Sequence, residues 1–210
     1  ELGLAPSHVT SSDLFAQLGP LSQSKFMPRL APFDLRARTV FAMTYSLPNS
    51  VGVGTKDLPG YLELASHDGN YGAEIEIMTH SKMLDCPFLI LRVPADSGPL
   101  QLNALHGPHF TGLPVFLVYF NAGAERGGHY CLAIPSNLAV YEKQLDAARR
   151  LVHVAPVSLH LQHAGLECTL DVFGMPADGD CLFWCVDLAE KSCNPEYQFG
   201  GDRYPEAQTI

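Results

Sequence analysis

The chain has 210 residues, of which 47% are hydrophobic, and 13 basic side chains stand against 22 acidic ones for a formal net charge of -9. A chain of this size and apolar content can bury one core, so we expect a single domain spanning residues 1–210. The basic residues are few and scattered, which argues against a nucleic-acid partner. The longest apolar runs have the length of a buried strand, which argues against a membrane partner.

The cysteines are too few for a disulfide scaffold in a chain of this length, and their spacings contain no CxxC pair. We therefore expect the cysteines to be free thiols and the protein to work in a reducing cytosol. The sequence begins at Glu1 without a methionine or a leader, which predicts a domain excised from a longer chain or a processed product. The six cysteines are Cys86, Cys131, Cys168, Cys181, Cys185 and Cys193.

The first part of the chain is rich in Pro, Gly and Ser, and we interpret residues 1–60 as a variable arm that contributes to substrate binding. A helix start is visible at residues 11–13, before "LFAQL", and a strand is predicted over residues 39–46, "TVFAMTYS". Two helices are predicted next, over residues 57–65 and 71–84. The second helix is expected to turn three apolar side chains toward the core: Ile75, Met78 and Leu84.

Near-continuous apolar segments of strand length then predict the centre of a sheet, with a loop between the first two: residues 88–93, 113–120 and 127–134. A capped helix, a hairpin around "HAG" and a final helix complete the order: residues 136–151, 157–162 with 167–173, and 181–191. This order predicts the α+β class, a mixed α/β arrangement in which helices flank a central mixed sheet.

The stretch "GMPADGDCLFWCV" places a tight polar turn directly before Cys181. A cysteine nucleophile needs a stabilised thiolate and donors aimed at the oxyanion that forms on attack. Gly179 permits backbone geometry closed to other residues, so N–H groups from Asp178 to Cys181 can converge on an oxyanion, and the positive helix end lowers the thiol pKa. The alternative is that Asp178-Gly179-Asp180 is an ordinary capped turn and that Cys181 is a buried apolar residue.

The general base is sought among nine histidines. His129 follows two glycines at the start of a predicted strand, where the ladder fixes the backbone while the side chain projects, so we select it as the partner of Cys181. A zinc site built from His106, His109 and cysteines has no recognised ligand spacing. We therefore expect no metal and no organic cofactor.

The segment "DGDCLFWCV" resembles the nucleophile motif of the ovarian-tumour (OTU) family of cysteine deubiquitinases, in which Asp-Gly-Asp-Cys-Leu-Phe opens the catalytic helix. Residues 69–93 are similar to the family's Trp-Gly-Gly, Glu, helix and strand block, and "GGHYCLAI" is similar to its terminal His-Tyr strand. In the family the cysteine motif comes first, whereas here it comes last, so the resemblance implies a circular permutation. Residues 69–134 would then be the family block with the histidine strand, 135–174 the new joint, and 175–193 the cysteine turn and helix.

The resemblance implies a thiol protease that hydrolyses isopeptide bonds after the C-terminus of ubiquitin. Cys181 is then the nucleophile, His129 the base, and Asp178, Gly179 and Asp180 form the oxyanion loop. It also implies a bacterial effector, secreted into the host cell cytoplasm, that acts on ubiquitin or polyubiquitin as a monomer.

The third member of the triad departs from the family pattern. Many members place Asn or Asp two residues after the histidine, where this chain has Cys131, so the orienting group is sought at Asp171 or Asn121. Two other functions stay open: a protease for a ubiquitin-like modifier, and a ubiquitin-binding module without catalysis. The second is favoured by the missing partner at Cys131.

Overall fold

The structure is a computed structural model, and it describes residues 32–46, 58–67, 69–93, 99–121, 128–152, 155–163 and 166–193. The helix start expected at residues 11–13 lies outside these ranges. No helix within them is both long and apolar enough to cross a membrane. The elements in chain order are α1 (Pro32–Ser46), α2 (Leu58–Ser66), α3 (Glu74–Leu84), β1 (Phe88–Arg92), β2 (Gln101–His106), β3 (Val115–Asn121), β4 (Gly128–Pro135), a 3-10 turn (Ala139–Tyr141), α4 (Glu142–Leu151), β5 (Val157–His163), β6 (Leu166–Phe173) and α5 (Cys181–Cys193).

The strands form one mixed sheet in the order β2-β1-β3-β4-β6-β5. β1 and β3 are parallel, and the other neighbouring pairs are antiparallel. The sheet curls until its two edges touch, where Leu100, directly before β2, bridges Leu161 of β5. The predicted α+β class with a central mixed sheet and flanking helices is confirmed, and β4 lies in the interior of that sheet.

Helix α5 is enclosed on several sides. It contacts β4 of the sheet and packs between helices α1 and α4. Every side chain from Cys181 to Ala189 is buried, which explains why "CLFWCVDLA" is apolar around the whole helix instead of along one stripe. The first turn of α5, which carries Cys181, is therefore held against the sheet.

The strand predicted over residues 39–46 is wrong, since these residues form the second half of helix α1. Thr, Val, Phe and Tyr favour strands, which is why the segment was expected to be one. The buried residues Leu35, Thr39 and Met43 lie four apart, and this spacing marks one helix face. The Thr39 hydroxyl donates to the Leu35 carbonyl at 2.7 Å, so the polar group on that face is satisfied within the helix. Packing against the core outweighs local propensity here.

Helix α3 turns a different face inward from the one expected. Met78 is 44% exposed, so the prediction that it faces the core is wrong, while the other two apolar side chains of that prediction are half-buried. The buried face carries Ile77 together with the polar residues His80 and Ser81. Because the Ser81 hydroxyl donates to the Cys86 carbonyl at 2.7 Å, burying this polar residue is not costly.

Strand β2 lies where a loop was expected, between β1 and β3. Its side chains alternate between exposed and half-buried, and it pairs with β1 at one edge of the sheet. An edge strand without fully buried positions leaves only a weak apolar alternation in the sequence. The other strands and the β5–β6 hairpin are found where they were predicted.

Candidate active site

Cys181 is the first residue of helix α5 and is only 2% exposed. The first backbone hydrogen bond of the helix runs from the Trp184 N–H to the Asp180 carbonyl at 2.9 Å. The N–H groups of the first turn have no acceptor inside the helix, and they carry its partial positive charge. The thiol therefore lies at the positive end of a buried helix, as the sequence predicted.

The turn before Cys181 requires glycine at position 179 for two reasons. Gly179 has φ +89°, a left-handed conformation that disfavours other residues. A Cβ at this position would also lie 1.9 Å from the Gly69 carbonyl oxygen. The turn consequently packs backbone against backbone on the segment that precedes α3.

The carboxylate of Asp178 braces this turn. Its Oδ1 accepts the Asp180 N–H at 3.0 Å, and its Oδ2 accepts the indole N–H of Trp184 at 3.1 Å. The Asp180 N–H is thus already engaged by Asp178. Of the predicted oxyanion loop, Asp178 and Gly179 shape the backbone, and Asp180 does not offer its N–H to a substrate in this state.

Hydrogen bonds to Glu76 stabilise the segment that precedes α3. Glu76 accepts the Ala73 N–H at 2.8 Å and the Tyr61 hydroxyl at 2.5 Å. The first of these bonds is the reciprocal half of a capping box, which closes the N-terminus of α3. Because the Gly69 N–H donates to the Asp180 carboxylate at 3.2 Å, this closed segment is tied to the cysteine turn.

The third segment, β4, reaches the sulfur directly. The Tyr130 N–H donates to the Cys181 Sγ at 3.4 Å. Two covalent bonds separate the Tyr130 nitrogen from the His129 Cα, so that Cα lies within about 6 Å of the sulfur. The structure therefore brings the predicted nucleophile and the strand that carries the predicted base to the same place.

His129 is 3% exposed. Burial lowers the pKa of His129 to about 4, against the opposing effects of the Asp178 carboxylate and of a hydrogen bond to the Met175 backbone. The bond raises the pKa, so the imidazole N–H donates to the Met175 carbonyl. The imidazole is neutral near pH 7, and a neutral imidazole whose one N–H is so used keeps its lone pair on the other nitrogen.

Cys131 stands two residues after His129, on the same face of β4. The Met175 backbone also bonds to Cys131, in the direction that lowers the thiol pKa, although burial raises the pKa of Cys131 more strongly. One peptide segment after β6 therefore holds both side chains. The orienting group for His129 is a backbone carbonyl, which has no signature in the sequence and was missed.

Burial also has the largest effect on the pKa of the nucleophile, Cys181. It raises the pKa of Cys181 to about 11, while hydrogen bonds from the backbone of Tyr130 and Leu182 act to lower it and the Asp178 and Asp180 carboxylates raise it further. The expectation of a lowered thiol pKa is not met in this buried state, because loss of hydration outweighs the helix end. Cys181 and His129 are a neutral thiol and a neutral imidazole.

Of the two proposed third members, Asp171 is not brought to His129. Asp171 pairs with Ile134, five residues along β4, which places it about 17 Å from His129 along the strand. Its carboxylate is held by Arg149 at 2.7 Å and by the Ser158 hydroxyl at 2.9 Å. The backbone of Asn121 pairs with Gly128 at the end of β3, beside His129, and its side chain lies outside the described part of the chain.

No group of three or more His, Cys, Asp or Glu residues in the described ranges is arranged to hold a metal ion. His106 is the last residue of β2 and His109 lies in the loop after it, with its ring 4.2 Å from that of Phe110. The six cysteines are free thiols.

A scan against protein-family models and a search of curated proteins found no match to this chain.

Proposed function

We propose that this chain is a deubiquitinase, a thiol-dependent hydrolase that cleaves the isopeptide bond after the C-terminus of ubiquitin. The observation that carries the proposal is the contact between the Tyr130 N–H and the Cys181 sulfur at 3.4 Å. This contact joins the nucleophile turn to the strand of His129 across a chain order that differs from that of the OTU family. Convergence in space despite a different order is what a circular permutation of an OTU-type domain requires.

The proposed reaction begins from the neutral pair. The unprotonated nitrogen of His129 takes the thiol proton of Cys181, and the sulfur attacks the carbonyl carbon of the terminal glycine. N–H groups in the first turn of α5 stabilise the oxyanion. The imidazolium then protonates the leaving lysine amine, and water hydrolyses the thioester to release the ubiquitin carboxylate and restore the thiol.

Burial of Cys181 has a consequence for this cycle. Because Cys181 is buried, a substrate carbonyl can reach the sulfur only after the residues that cover it move apart. Substrate binding must therefore precede activation of the nucleophile. The narrow Gly-Gly end of ubiquitin suits such an entry because it has no side chains to accommodate. The six free cysteines and the resemblance support the wider proposal of a bacterial effector that works in the reducing cytoplasm of a host cell.

The test uses ubiquitin with a cysteine-reactive warhead at its C-terminus, scored by intact mass. The wild type should gain one ubiquitin, Cys181→Ala should gain none, and His129→Ala should react more slowly. Cys185→Ala is the matched control, since Cys185 lies one turn deeper in the same helix and is fully buried, and it should react like the wild type. A folded wild type that gains no ubiquitin would falsify the proposal.

The second candidate is a ubiquitin-binding module without catalysis. It is favoured by the buried, protonated state of Cys181. It predicts that ubiquitin binds the wild type and Cys181→Ala with equal affinity while no warhead adduct forms on either. A parallel set of ubiquitin-like modifiers with the same warhead separates a change of substrate from a loss of catalysis.

A further inference from the structure

A buried arginine stands directly behind the cysteine turn. Arg36 lies on the inner face of helix α1 and is only 2% exposed. Taking a guanidinium out of water costs several kcal/mol unless its charge and its donors are matched by the protein. The partners of Arg36 therefore indicate what this part of the fold has to hold in place.

The first partner is Asp180, the residue before Cys181. The Arg36 Nε donates to the Asp180 Oδ1 at 2.9 Å, and the Nη2 donates to the same oxygen. Both ends of this pair are buried. The Asp180 Oδ2 accepts the Gly69 N–H at 3.2 Å, so the carboxylate joins α1 to the segment before α3.

The remaining donors of Arg36 reach two further backbone positions. Its Nη1 donates to the Ala65 carbonyl at 2.8 Å, and its Nη2 donates to the Asn70 carbonyl at 2.6 Å. The guanidinium carbon also lies 4.1 Å from the centre of the Phe183 ring, within the range of a cation–π contact. One side chain thus connects α1, the end of α2, the segment before α3 and the first turn of α5.

Arg36 acts on the Cys181 thiol through its charge as well as through the geometry that it imposes on the turn. The Asp178 and Asp180 carboxylates both oppose ionisation of Cys181. Arg36 pairs with one of them at hydrogen-bond distance. Burial raises the pKa of Asp180, and the Arg36 guanidinium acts against this rise. Removing the guanidinium would leave the Asp180 carboxylates that stay ionised at pH 7 to 9 without a positive partner next to the nucleophile, in a buried site where charges are poorly screened.

We propose that Arg36 is a positioning residue for the nucleophile: it holds the turn that presents Cys181 and cancels the negative charge of Asp180 beside the sulfur. This inference rests on the proposed function, since it assigns a role within that site. It does not depend on ubiquitin as the substrate, because it concerns formation of the thiolate.

The test measures alkylation of Cys181 by iodoacetamide at pH 7 to 9, read from the Cys181 peptide by mass spectrometry. Arg36→Met should slow alkylation about tenfold, because an upward pKa shift of about one unit lowers the thiolate fraction tenfold at a pH below the pKa. Asp180→Asn should speed it, because it leaves the positive charge of Arg36 without its partner. Arg38→Met is the matched control, since Arg38 is a partly exposed arginine on the same helix that pairs with Glu190 at 3.3 Å and has no contact with Asp180 among the described hydrogen bonds, and its rate should equal that of the wild type.

A purely structural role predicts a different pattern. Loosening the turn would expose the thiol and speed alkylation in both Arg36→Met and Asp180→Asn. If the alkylation rate changes in the same direction in both variants, or changes in neither, the inference is overturned. If Arg36→Met does not fold, Asp180→Asn decides alone, measured at a temperature well below its own unfolding midpoint: faster alkylation of Cys181 while the buried Cys185 stays unmodified supports the charge role, and an unchanged or slower rate overturns it.

The two proposals can fail separately. A wild type without a ubiquitin adduct but with opposite alkylation changes in the two variants keeps the role of Arg36 and rejects the substrate. If the wild type reacts with ubiquitin but the alkylation rate changes in the same direction in both variants, the substrate is kept and the role of Arg36 is rejected. If both hold, Arg36→Met should lower kcat for a fluorogenic ubiquitin substrate and leave KM unchanged, because Arg36 is buried beneath the site.

Discussion

We expect acid to destabilise this protein through His80, a residue outside the candidate active site. His80 is 0% exposed on the inner face of α3. Its Nε2 lies 3.5 Å from the Thr39 hydroxyl, and its ring meets the Phe183 ring edge-on at 5.7 Å. Burial, assisted by the charge of Arg38, lowers the pKa of His80 from 6.5 to about 3.

The sign and size of the effect follow from proton binding. Below pH 6.5 the unfolded chain takes up a proton at this position, while the folded protein stays neutral until about pH 3. The unfolded state then binds more protons, so stability falls as the pH falls. Between pH 7 and pH 5 this linkage removes about 2 kcal/mol from the free energy of unfolding. That is a large share of the roughly 5–15 kcal/mol by which domains are usually stable.

The assay is urea unfolding at pH 7 and pH 5. The sequence contains one tryptophan, Trp184 in α5, so its fluorescence follows the cysteine turn. His80→Gln should lose about 2 kcal/mol of the pH-dependent difference, even if it is less stable than the wild type at pH 7. His163→Gln, which alters an exposed histidine, should keep the wild-type difference. The same pH dependence in His80→Gln as in the wild type would refute the reasoning.

Three further outcomes are expected. Gly179→Ala should lower stability by more than about 2 kcal/mol and abolish warhead labelling. Gly69→Ala is the control: Gly69 has φ +79°, but the nearest neighbour of an added Cβ lies at 3.3 Å, so the change should cost only about 1 kcal/mol. Equal losses of stability in the two variants, measured by thermal unfolding, would contradict the clash at position 179. Trp184→Phe should cost about 2 kcal/mol, because the bond from the indole N–H to Asp178 is lost and the smaller phenyl ring leaves a cavity at this buried position; thermal unfolding followed by circular dichroism measures this. Asp171→Asn should cost about 1 kcal/mol, because its ion pair with the half-exposed Arg149 is screened by water, yet it should keep the labelling rate; a lost rate with intact folding would instead assign Asp171 to the catalytic machinery.

Much of the sheet and the nucleophile turn could be predicted because their signals are local. Three apolar runs mark β1, β3 and β4, and the turn at Gly179 needs only its own residues to be recognised. The helix at residues 39–46 could not, because its strand-favouring side chains are helical only when packed against the core. Met78 was misplaced for a related reason: α3 buries polar residues such as His80, which a search for apolar periodicity passes over.

The groups that support the site were beyond sequence analysis. Arg36 was part of an arm to which we assigned substrate binding, and nothing near it in the sequence indicates a buried partner. The group that orients His129 is the carbonyl of Met175, and every residue has a carbonyl. Side-chain identity therefore pointed to Asp171, whose carboxylate is used elsewhere in the fold.

The pairing of Arg36 with Asp180 also bears on how the protein is made. The two residues are 144 positions apart, and the Tyr130 contact with Cys181 spans 51. During translation α1 and β4 leave the ribosome well before α5, the last described element. Contacts of such long separation are slow to form because the loop must close first. We expect the nascent chain to have no working nucleophile until α5 has packed against β4 and α1.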